Sequence, residues 1–270
     1  MSTLNILLIS ILQGATEFLP VSSSGHLILF SKFTEFPDQG LAMDIALHVG
    51  SIIAVMIYFS EELWIMFKGL LKTYFLPNFK NAGNRTFYLI CIATIPAVIA
   101  GLVFAEYGTE IVRNTKLIGW TIIIFGIILY IADKIGWTVK KVEHLTIADA
   151  IIIGFAQTLA LIPGTSRSGI TITAGRFLGL ERTEAAKFSM LLAIPTILGA
   201  GCLAACKLFN TGSLSEVVYA IDGITYSFIS SIIAIYMMMW WLRNKTFLPF
   251  VIYRIILGTF LLLYSYGYIL

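Results

Sequence analysis

The chain has 270 residues, of which 58% are hydrophobic and 12% are charged, and its mean hydropathy is +0.89. This composition excludes an ordinary soluble domain and predicts a polytopic membrane protein. The net charge of +3 is too small for a nucleic-acid-binding surface, so no nucleic acid is expected as a partner.

Short apolar stretches at residues 4–12 and 147–162 open the two halves of the chain. Each is too short to span a bilayer, breaks at a proline (Pro20, Pro163) and continues through a serine- and glycine-rich turn into a second apolar run. Backbone broken at membrane depth is tolerated only where protein or a water-filled cavity receives its polar groups. Both stretches are therefore predicted to form re-entrant helix hairpins that point at one cavity.

Six other apolar stretches have roughly the length of a transmembrane helix. In chain order they cover residues 42–59, 86–105, 117–133, 184–206, 223–241 and 249–268. Each half of the chain thus has one hairpin followed by three spans. Aligning the prolines of the two breaks pairs Ser23 with Ser166. A unit with an odd number of spans, duplicated in tandem, places its second copy upside down.

The predicted fold class is therefore an all-α polytopic membrane protein built as an inverted repeat, each half a re-entrant helix hairpin plus three transmembrane helices. Residues 1–270 are predicted to form a single membrane domain, with repeat one at about 1–135 and repeat two at about 146–270. The alternative explanation is chance similarity between apolar segments.

The charges between the spans predict the orientation of the chain in the membrane. The basic residues that follow the first, third and fifth spans are Lys68, Lys72, Lys80, Arg85, Lys134, Lys140, Lys141, Arg243 and Lys245. An intervening loop carries the balanced set Glu106, Glu110, Arg113 and Lys116. By the positive-inside tendency, both termini are extracytoplasmic, the first hairpin enters from outside and the second enters from the cytoplasm.

Two polar residues share one face of the first short stretch. Gln13 and Glu17 are four residues apart, so they lie on the same side of a helix. Ionisable residues at membrane depth are costly and usually functional. Glu17 is therefore a candidate catalytic residue and a candidate ligand for a divalent cation such as Mg²⁺ or Ca²⁺, with Gln13 in support. The alternative is a helix-end carboxylate that reaches the membrane interface.

The first break contains the run Ser22, Ser23, Ser24, Gly25 and His26, where a new helix must begin. Free N–H groups, the helix dipole and hydroxyls at a helix start favour a phosphate oxygen. A hydroxyl beside a base is also a nucleophile arrangement, which makes Ser23 the first candidate nucleophile and His26 its base or acid. Attack by His26 or by water stays open. The alternative is an ordinary N-cap with a spare histidine.

The second break carries Arg167 between Ser166 and Ser168, with Thr165 and Thr171 nearby. The arginine fork suits bidentate contact with phosphate, and a permanent charge at this depth needs an anion. These residues are predicted to bind phosphate. The alternative is an ion pair between the arginine and the carboxylate of the first hairpin.

Two arginines outside the two breaks are weaker candidates, and two histidines are expected to have ordinary structural roles. Arg254, in the last span, is a possible supporting residue, and Arg176 is a structural partner or an interfacial anchor. His48, at the start of the first span, and His144, in a polar loop, are not expected in the site.

Four runs resemble the undecaprenyl-diphosphatase family, the bacitracin-resistance membrane phosphatases. They are QGATEFLPVSSSGH at 13–26, IPAVIAGLVF at 95–104, PGTSRSGIT at 163–171 and FLPFVIYR at 247–254. The resemblance covers nearly the whole chain. It implies hydrolysis of undecaprenyl diphosphate to undecaprenyl phosphate and inorganic phosphate, which recycles the lipid carrier for peptidoglycan synthesis in the cell wall. It also implies the inverted-repeat fold, the bacterial inner membrane, an active site facing the extracytoplasmic side, and a polyprenyl diphosphate substrate; a homodimer is possible.

Carried over by position, the resemblance assigns family motifs to residues of this chain. The acidic motif falls on Gln13 and Glu17, the serine–histidine motif on Ser22, Ser23 and His26, and the serine–arginine motif on Ser166, Arg167 and Ser168. Many members have glutamate where this chain has Gln13, so a role that needs two carboxylates is not transferred.

Two other function classes bear on the same motifs. The type 2 phosphatidic acid phosphatases resemble this motif order but need a nucleophilic histidine after the serine–arginine motif, and none of His26, His48 and His144 follows Arg167. A polyprenyl-phosphate transporter or flippase that uses the same site stays open, because inverted repeats with broken helices are typical of transporters.

Overall fold

The chain is almost entirely helical in the computed structural model, which describes residues 3–33, 40–107, 114–136, 139–209 and 214–268. These residues contain eleven α-helices and no β-strand. The helices are α1 (Thr3–Glu17), α2 (Ser23–Phe33), α3 (Gly40–Tyr58), α4 (Ser60–Lys72), α5 (Ala82–Tyr107), α6 (Thr115–Ile135), α7 (Ile147–Thr158), α8 (Arg167–Phe177), α9 (Arg182–Phe209), α10 (Leu214–Leu242) and α11 (Leu248–Ser265).

Both broken stretches have the predicted helix–turn–helix form. In the first hairpin α1 ends at Glu17 and α2 begins at Ser23, and the two helices pack together. In the second, α7 continues into a 3₁₀ turn at Leu159–Leu161, and α8 begins at Arg167. Each turn contains its proline, which has no N–H to donate and therefore interrupts the helix.

The six predicted spans overlap α3, α5, α6, α9, α10 and α11, although the described part of α9 does not meet the length and hydropathy requirement for a span. Among the described residues, four helical segments are long and apolar enough to cross a membrane, and the bent pair α3–α4 is a fifth candidate. The four segments are Ala82–Phe104, Thr115–Ile135, Tyr219–Leu242 and Leu248–Ser265. The all-α, multi-span class of the fold is therefore confirmed.

Helix α4 was not predicted and corrects the interpretation of the basic residues after the first span. It follows α3 after a bend of 76°. Lys68 and Lys72, which were expected in a loop, lie on this helix. The charged residues of α4 made it too polar to be predicted as a span. They also indicate a helix, because Glu61 in the first turn and Lys72 in the last turn complement the helix dipole. Of the loop charges, Glu110, Arg113 and the side chain of Glu106 lie outside the described residues.

The helix pairings are compatible with the predicted repeat. Helix α1 packs on α10 as α7 packs on α5, while α3 packs on α9 and α6 packs on α11. The predicted repeat relates the helices of the first half, α1, α2, α3, α5 and α6, in that order to α7, α8, α9, α10 and α11. Under this relation the α1–α10 pairing becomes the α7–α5 pairing, and the α3–α9 and α6–α11 pairings are unchanged. The inverted repeat and its boundaries stay a prediction.

The contact between α1 and α10 is close enough to test by adding a methyl group. A Cβ atom on Gly14 would lie 2.5 Å from the Ser227 carbonyl oxygen and 2.9 Å from the Ser231 nitrogen, so α1 would have to move. We expect Gly14→Ala to lower the free energy of unfolding by about 1–3 kcal/mol. Gly101→Ala is the control, because no atom lies within 4 Å of its added Cβ. Thermal unfolding in detergent measures both, and equal unfolding temperatures would contradict the close contact.

Candidate active site

The two hairpins meet at one pocket of about 390 Å³, as the sequence predicted. Helices α3, α5 and α9 complete its wall. Its polar lining residues are Glu17, Ser23, Ser24, Asp44, His48, Gln157, Ser166, Arg167 and Thr196, and its apolar ones are Ile45, Val49, Ala97, Ala160, Leu161 and Ile197. A concave pocket in which polar groups converge among apolar side chains is typical of a small-molecule site.

Glu17 is the centre of the polar contacts in this pocket. Its Oε2 atom accepts hydrogen bonds from the Ser23 hydroxyl at 2.7 Å and from the Gln13 amide at 2.8 Å. The Nε2 atom of His48 lies 3.7 Å from the same oxygen. Its Oε1 atom accepts a hydrogen bond from Arg167 at 3.1 Å. The carboxylate therefore contacts a candidate nucleophile and a fixed cation at the same time.

Arg167 joins the hairpins and faces the pocket. Besides its ion pair with Glu17, its Nη1 atom donates to the Ser189 carbonyl on α9 at 3.4 Å. The guanidinium carbon lies 5.9 Å from the centre of the Phe18 ring. The ion pair that was the alternative to phosphate binding is thus present, and the Arg167 side chain also lines the cavity. An arginine held by one carboxylate oxygen and one carbonyl retains donors for an anion in the pocket.

The two turns have the same local conformation. Ser22 and Ser166, each the residue before a helix, have φ angles of 75° and 73°. Their hydroxyls accept hydrogen bonds from the third residues of α2 and α8, the Gly25 and Gly169 N–H groups, at 3.3 and 3.1 Å. A positive φ is uncommon for serine and costs about 1–3 kcal/mol, and such conformations cluster at functional sites.

This geometry corrects the alignment of the two motifs by one residue. Ser22, rather than Ser23, corresponds to Ser166, because the second turn has one more residue between its proline and the helix start. Ser23 therefore corresponds to Arg167, and both side chains contact Glu17. The two hairpins supply a hydroxyl and a guanidinium from equivalent positions to one carboxylate.

His26 lies outside the pocket lining. Its Nδ1 atom donates to the Ser22 carbonyl at 2.7 Å, and its Nε2 atom lies 2.5 Å from the Tyr253 hydroxyl on α11. His48, which was not expected in the site, lines the pocket instead. Its Nδ1 atom donates to the Asp44 carbonyl at 2.6 Å, which directs Nε2 towards the carboxylate of the first hairpin.

The other predicted residues surround the pocket. Ser24 lines it, whereas Gln13, Ser22, Gly25, Thr165, Ser168, Thr171 and Arg254 are buried behind its wall. The Ser168 hydroxyl donates to the Leu19 carbonyl at 2.9 Å and so joins the hairpins. The Thr171 hydroxyl lies 2.7 Å from the Ser189 hydroxyl and joins α8 to α9. Arg176 binds Asp133 and the Leu180 carbonyl away from the pocket, and His144 lies beside Glu143.

Sequence reasoning missed four polar lining residues, Asp44, His48, Gln157 and Thr196. Two signals were present. Asp44 and His48 are four residues apart on α3, so they share a face. Gln157 precedes the N-cap of α8 by the same number of residues as Gln13 precedes Ser22. Thr196 follows a proline within a long apolar helix, and nothing in the sequence singles it out.

Replacing Arg167 with lysine is expected to lower kcat by about 10²-fold or more if an anion is bound here, because the charge remains while the planar fork is lost. The turnover rate of the purified variant measures this. Lys187→Arg, at a side chain that pairs with Glu184 at 2.7 Å outside the pocket, is a control for cation exchange. Turnover near the normal rate in Arg167→Lys would reject bidentate contact.

Fold and site together define a polytopic membrane protein with an internal pocket lined by a buried carboxylate, serine hydroxyls and an arginine. The chain belongs to the family described as Bacitracin resistance protein BacA, whose family model matches residues 6–260. It is 44% identical over 270 residues to an undecaprenyl-diphosphatase of Roseobacter denitrificans, covering 99% of this chain and 100% of the relative. It is 44% identical over 267 residues to one of Alteromonas mediterranea, with 99% and 100% covered. It is 41% identical over 273 residues to undecaprenyl-diphosphatase 1 of Rhodospirillum rubrum, with 98% and 96% covered.

Proposed function

We propose that this chain hydrolyses undecaprenyl diphosphate to undecaprenyl phosphate and inorganic phosphate, and so recycles the lipid carrier for cell-wall synthesis. The relatives named for this activity match the chain over nearly its whole length. The observation that carries the proposal is Glu17, whose carboxylate binds the Ser23 hydroxyl and the Arg167 guanidinium inside one pocket.

In the proposed reaction Ser23 Oγ attacks the terminal phosphorus of the diphosphate. Its proton passes to Glu17, whose 2.7 Å contact is within the reach of about 2.6–3.2 Å that a general base needs. The bond between the terminal phosphorus and the bridging oxygen breaks, and undecaprenyl phosphate leaves. Water then hydrolyses the phosphoserine to inorganic phosphate and free Ser23. This assigns the base to Glu17 rather than to His26.

The charge that develops on the phosphates is stabilised in this scheme by groups from both hairpins. Arg167 donates from one side, and α2 and α8 begin at the two turns that contribute Ser24 and Ser166 to the pocket lining, so the positive ends of both helix dipoles favour a phosphate there. Donors that are already in place when the substrate arrives need no reorganisation in the transition state. The two similar turns suit the two phosphates of the substrate.

A divalent cation, Mg²⁺ or Ca²⁺, is proposed as a companion of the substrate. The described residues contain no group of three or more His, Cys, Asp or Glu that could hold a metal ion. Glu17 and Asp44 both line the pocket, so protein carboxylates together with substrate phosphate oxygens fit the way Mg²⁺ is commonly bound. When bound, the cation would neutralise charge on the two phosphates.

The lipid tail, the orientation and the assembly complete the proposal. The polyprenyl tail remains in the bilayer while the diphosphate enters the pocket, whose apolar lining includes Ile45, Val49 and Ile197. The loop charges support a pocket that opens to the extracytoplasmic side of the bacterial inner membrane. A homodimer remains an expectation.

Exchanging each histidine for alanine separates the candidate bases. His26→Ala is expected to keep phosphate release within about tenfold of the normal rate, because its ring contacts Tyr253 and not Ser23. His48→Ala, next to Glu17, is expected to have the larger effect. If His26→Ala, and not His48→Ala, lowered the rate of phosphate release about 10³-fold, His26 would be the general base.

A phosphatase assay on the purified protein in detergent tests the function. Release of inorganic phosphate from undecaprenyl diphosphate is the expected result, a chelator is expected to lower it, and Glu17→Gln is the inactive control. The alternative, a polyprenyl-phosphate transporter, predicts no phosphate release in detergent but movement of the head group across sealed vesicles. That outcome would replace the proposed function.

A further inference from the structure

Arg254 on α11 is fully buried and donates all its hydrogen bonds to backbone carbonyls of other elements. Nε donates to the carbonyl of Ile122 at 2.9 Å. Nη1 donates to Pro20 at 3.2 Å and to Thr165 at 3.0 Å. Nη2 donates to Thr121 at 3.4 Å and to Gly164 at 3.1 Å. A guanidinium has five N–H donors, so every donor has a carbonyl partner.

These carbonyls belong to both turns of the site. Pro20 lies two residues before Ser22, and Thr165 lies directly before Ser166, so one nitrogen atom, Nη1, holds both turns at once. The carbonyls of Thr121 and Ile122 on α6 anchor the same guanidinium from a third side. Arg254 does not line the pocket, and it reaches the reacting region only through the backbone of the two turns.

We propose that Arg254 is a positioning residue that fixes the separation of the two anion-binding turns. The proposal rests on the proposed function, because it takes the two turns to bind one diphosphate. The donors of each turn come from a separate hairpin, so their spacing has to be set by a group that contacts both. A misplacement of about 1 Å between such groups can lower the rate about 10²-fold.

The neighbouring residue adds a second contact between α11 and the first hairpin. Tyr253 lies with its ring stacked on the His26 ring, with centroids 5.5 Å apart. The hairpins also contact each other directly, through the hydrogen bond from the Ser168 hydroxyl to the Leu19 carbonyl and through the ion pair between Arg167 and Glu17. Arg254 differs from these contacts because one side chain donates to backbone carbonyls of both turns.

Two glycines of α6 offer variants that leave Arg254 itself unchanged. A Cβ atom on Gly126 would lie 3.2 Å from Arg254 Cβ and 3.3 Å from its Nε, and would press on the guanidinium. A Cβ atom on Gly119 would lie 2.9 Å from Leu262 on the same α6–α11 interface. The second variant disturbs the packing of the same two helices at another place.

The test combines amide hydrogen exchange of the ligand-free protein with kinetics. Lysine has three donors and no planar fork, so Arg254→Lys should loosen both turns. We expect amide exchange to become faster in peptides covering 18–30 and in peptides covering 160–172, while exchange in α10 is unchanged. We also expect kcat to fall about 10²-fold. Gly126→Ala is expected to show the same pattern to a smaller degree. Gly119→Ala is expected to lower the unfolding temperature while turn exchange and kcat stay within about twofold of the normal values.

Two results would overturn the positioning role. One is faster exchange in only one turn or in neither. The other is a general rise in exchange that follows lost stability, with kcat per folded molecule unchanged. The exchange measurement needs no turnover, so it tests the positioning role of Arg254 even if the wild-type protein releases no phosphate. Absence of phosphate release would reject the proposed function but not the positioning role.

Discussion

Ser23→Ala is expected to abolish phosphate release, with kcat lower by at least about 10³-fold. The Ser23 hydroxyl lines the pocket, and it is the only hydroxyl in the described residues found hydrogen-bonded to Glu17. Removing the oxygen leaves the carboxylate with no proton to accept. Ser24→Ala is the matched control, because its hydroxyl lines the same pocket but lies 3.4 Å from the Ser22 hydroxyl instead. We expect that variant to lose less than about tenfold.

The covalent intermediate distinguishes the three possible nucleophiles. Quenching an early reaction with labelled substrate is expected to leave an acid-stable label on the wild-type protein, because phosphoserine survives acid. Phosphohistidine does not, so an acid-labile label on Ser23→Ala would show that His26 attacks instead. Rapid turnover without any bound label would indicate direct attack by water.

Glu17→Gln is expected to lower kcat by at least about 10³-fold. The amide keeps the size of the side chain, but it can neither accept the Ser23 proton nor neutralise Arg167, which then lacks its ion-pair partner. Removing one member of a buried pair leaves an uncompensated charge, which adds a loss of stability. Thermal unfolding beside the phosphatase assay separates the two effects. An active Glu17→Gln enzyme would contradict the role of the carboxylate.

Gln13→Glu is the companion variant on the same helix face. The Gln13 amide donates to Glu17 at 2.8 Å, so a second carboxylate would bring two negative charges together. The variant is expected to stay active, because the pair can share a proton or a cation. Its activity should depend more strongly on divalent cations than that of the wild-type protein. Complete inactivity would show that the neutral amide at this position is required.

The hairpins and their common pocket could be predicted because their signals are local. A proline in a short apolar stretch interrupts a helix, and a turn of serine and glycine needs partners that lipid does not supply. The ion pair between Glu17 and Arg167 followed as an alternative, because opposite charges buried at one depth favour each other. The register of the two turns could not be predicted, because the extra residue of the second turn is invisible when the prolines are aligned.

The histidine beside the carboxylate lay beyond local reasoning. His48 reaches Glu17 only because α3 packs against α1, and the polar face that it shares with Asp44 does not reveal which neighbouring helix it meets. His26 stood within the serine run, where closeness along the chain suggested a catalytic pair. Its Nε2 atom instead contacts the Tyr253 hydroxyl on α11, a partner 227 residues away in the chain that the serine run does not reveal.

The equivalent turns carry opposite charges to the centre of the pocket. The first hairpin contributes a carboxylate and a hydroxyl, and the second contributes a guanidinium at the position equivalent to that hydroxyl. Two hairpins with similar turns are therefore chemically non-interchangeable. Neither could be replaced by a copy of the other, because two first hairpins would gather only negative charge and two second hairpins only positive charge. A chain that joins the two in one molecule keeps them in a one-to-one ratio.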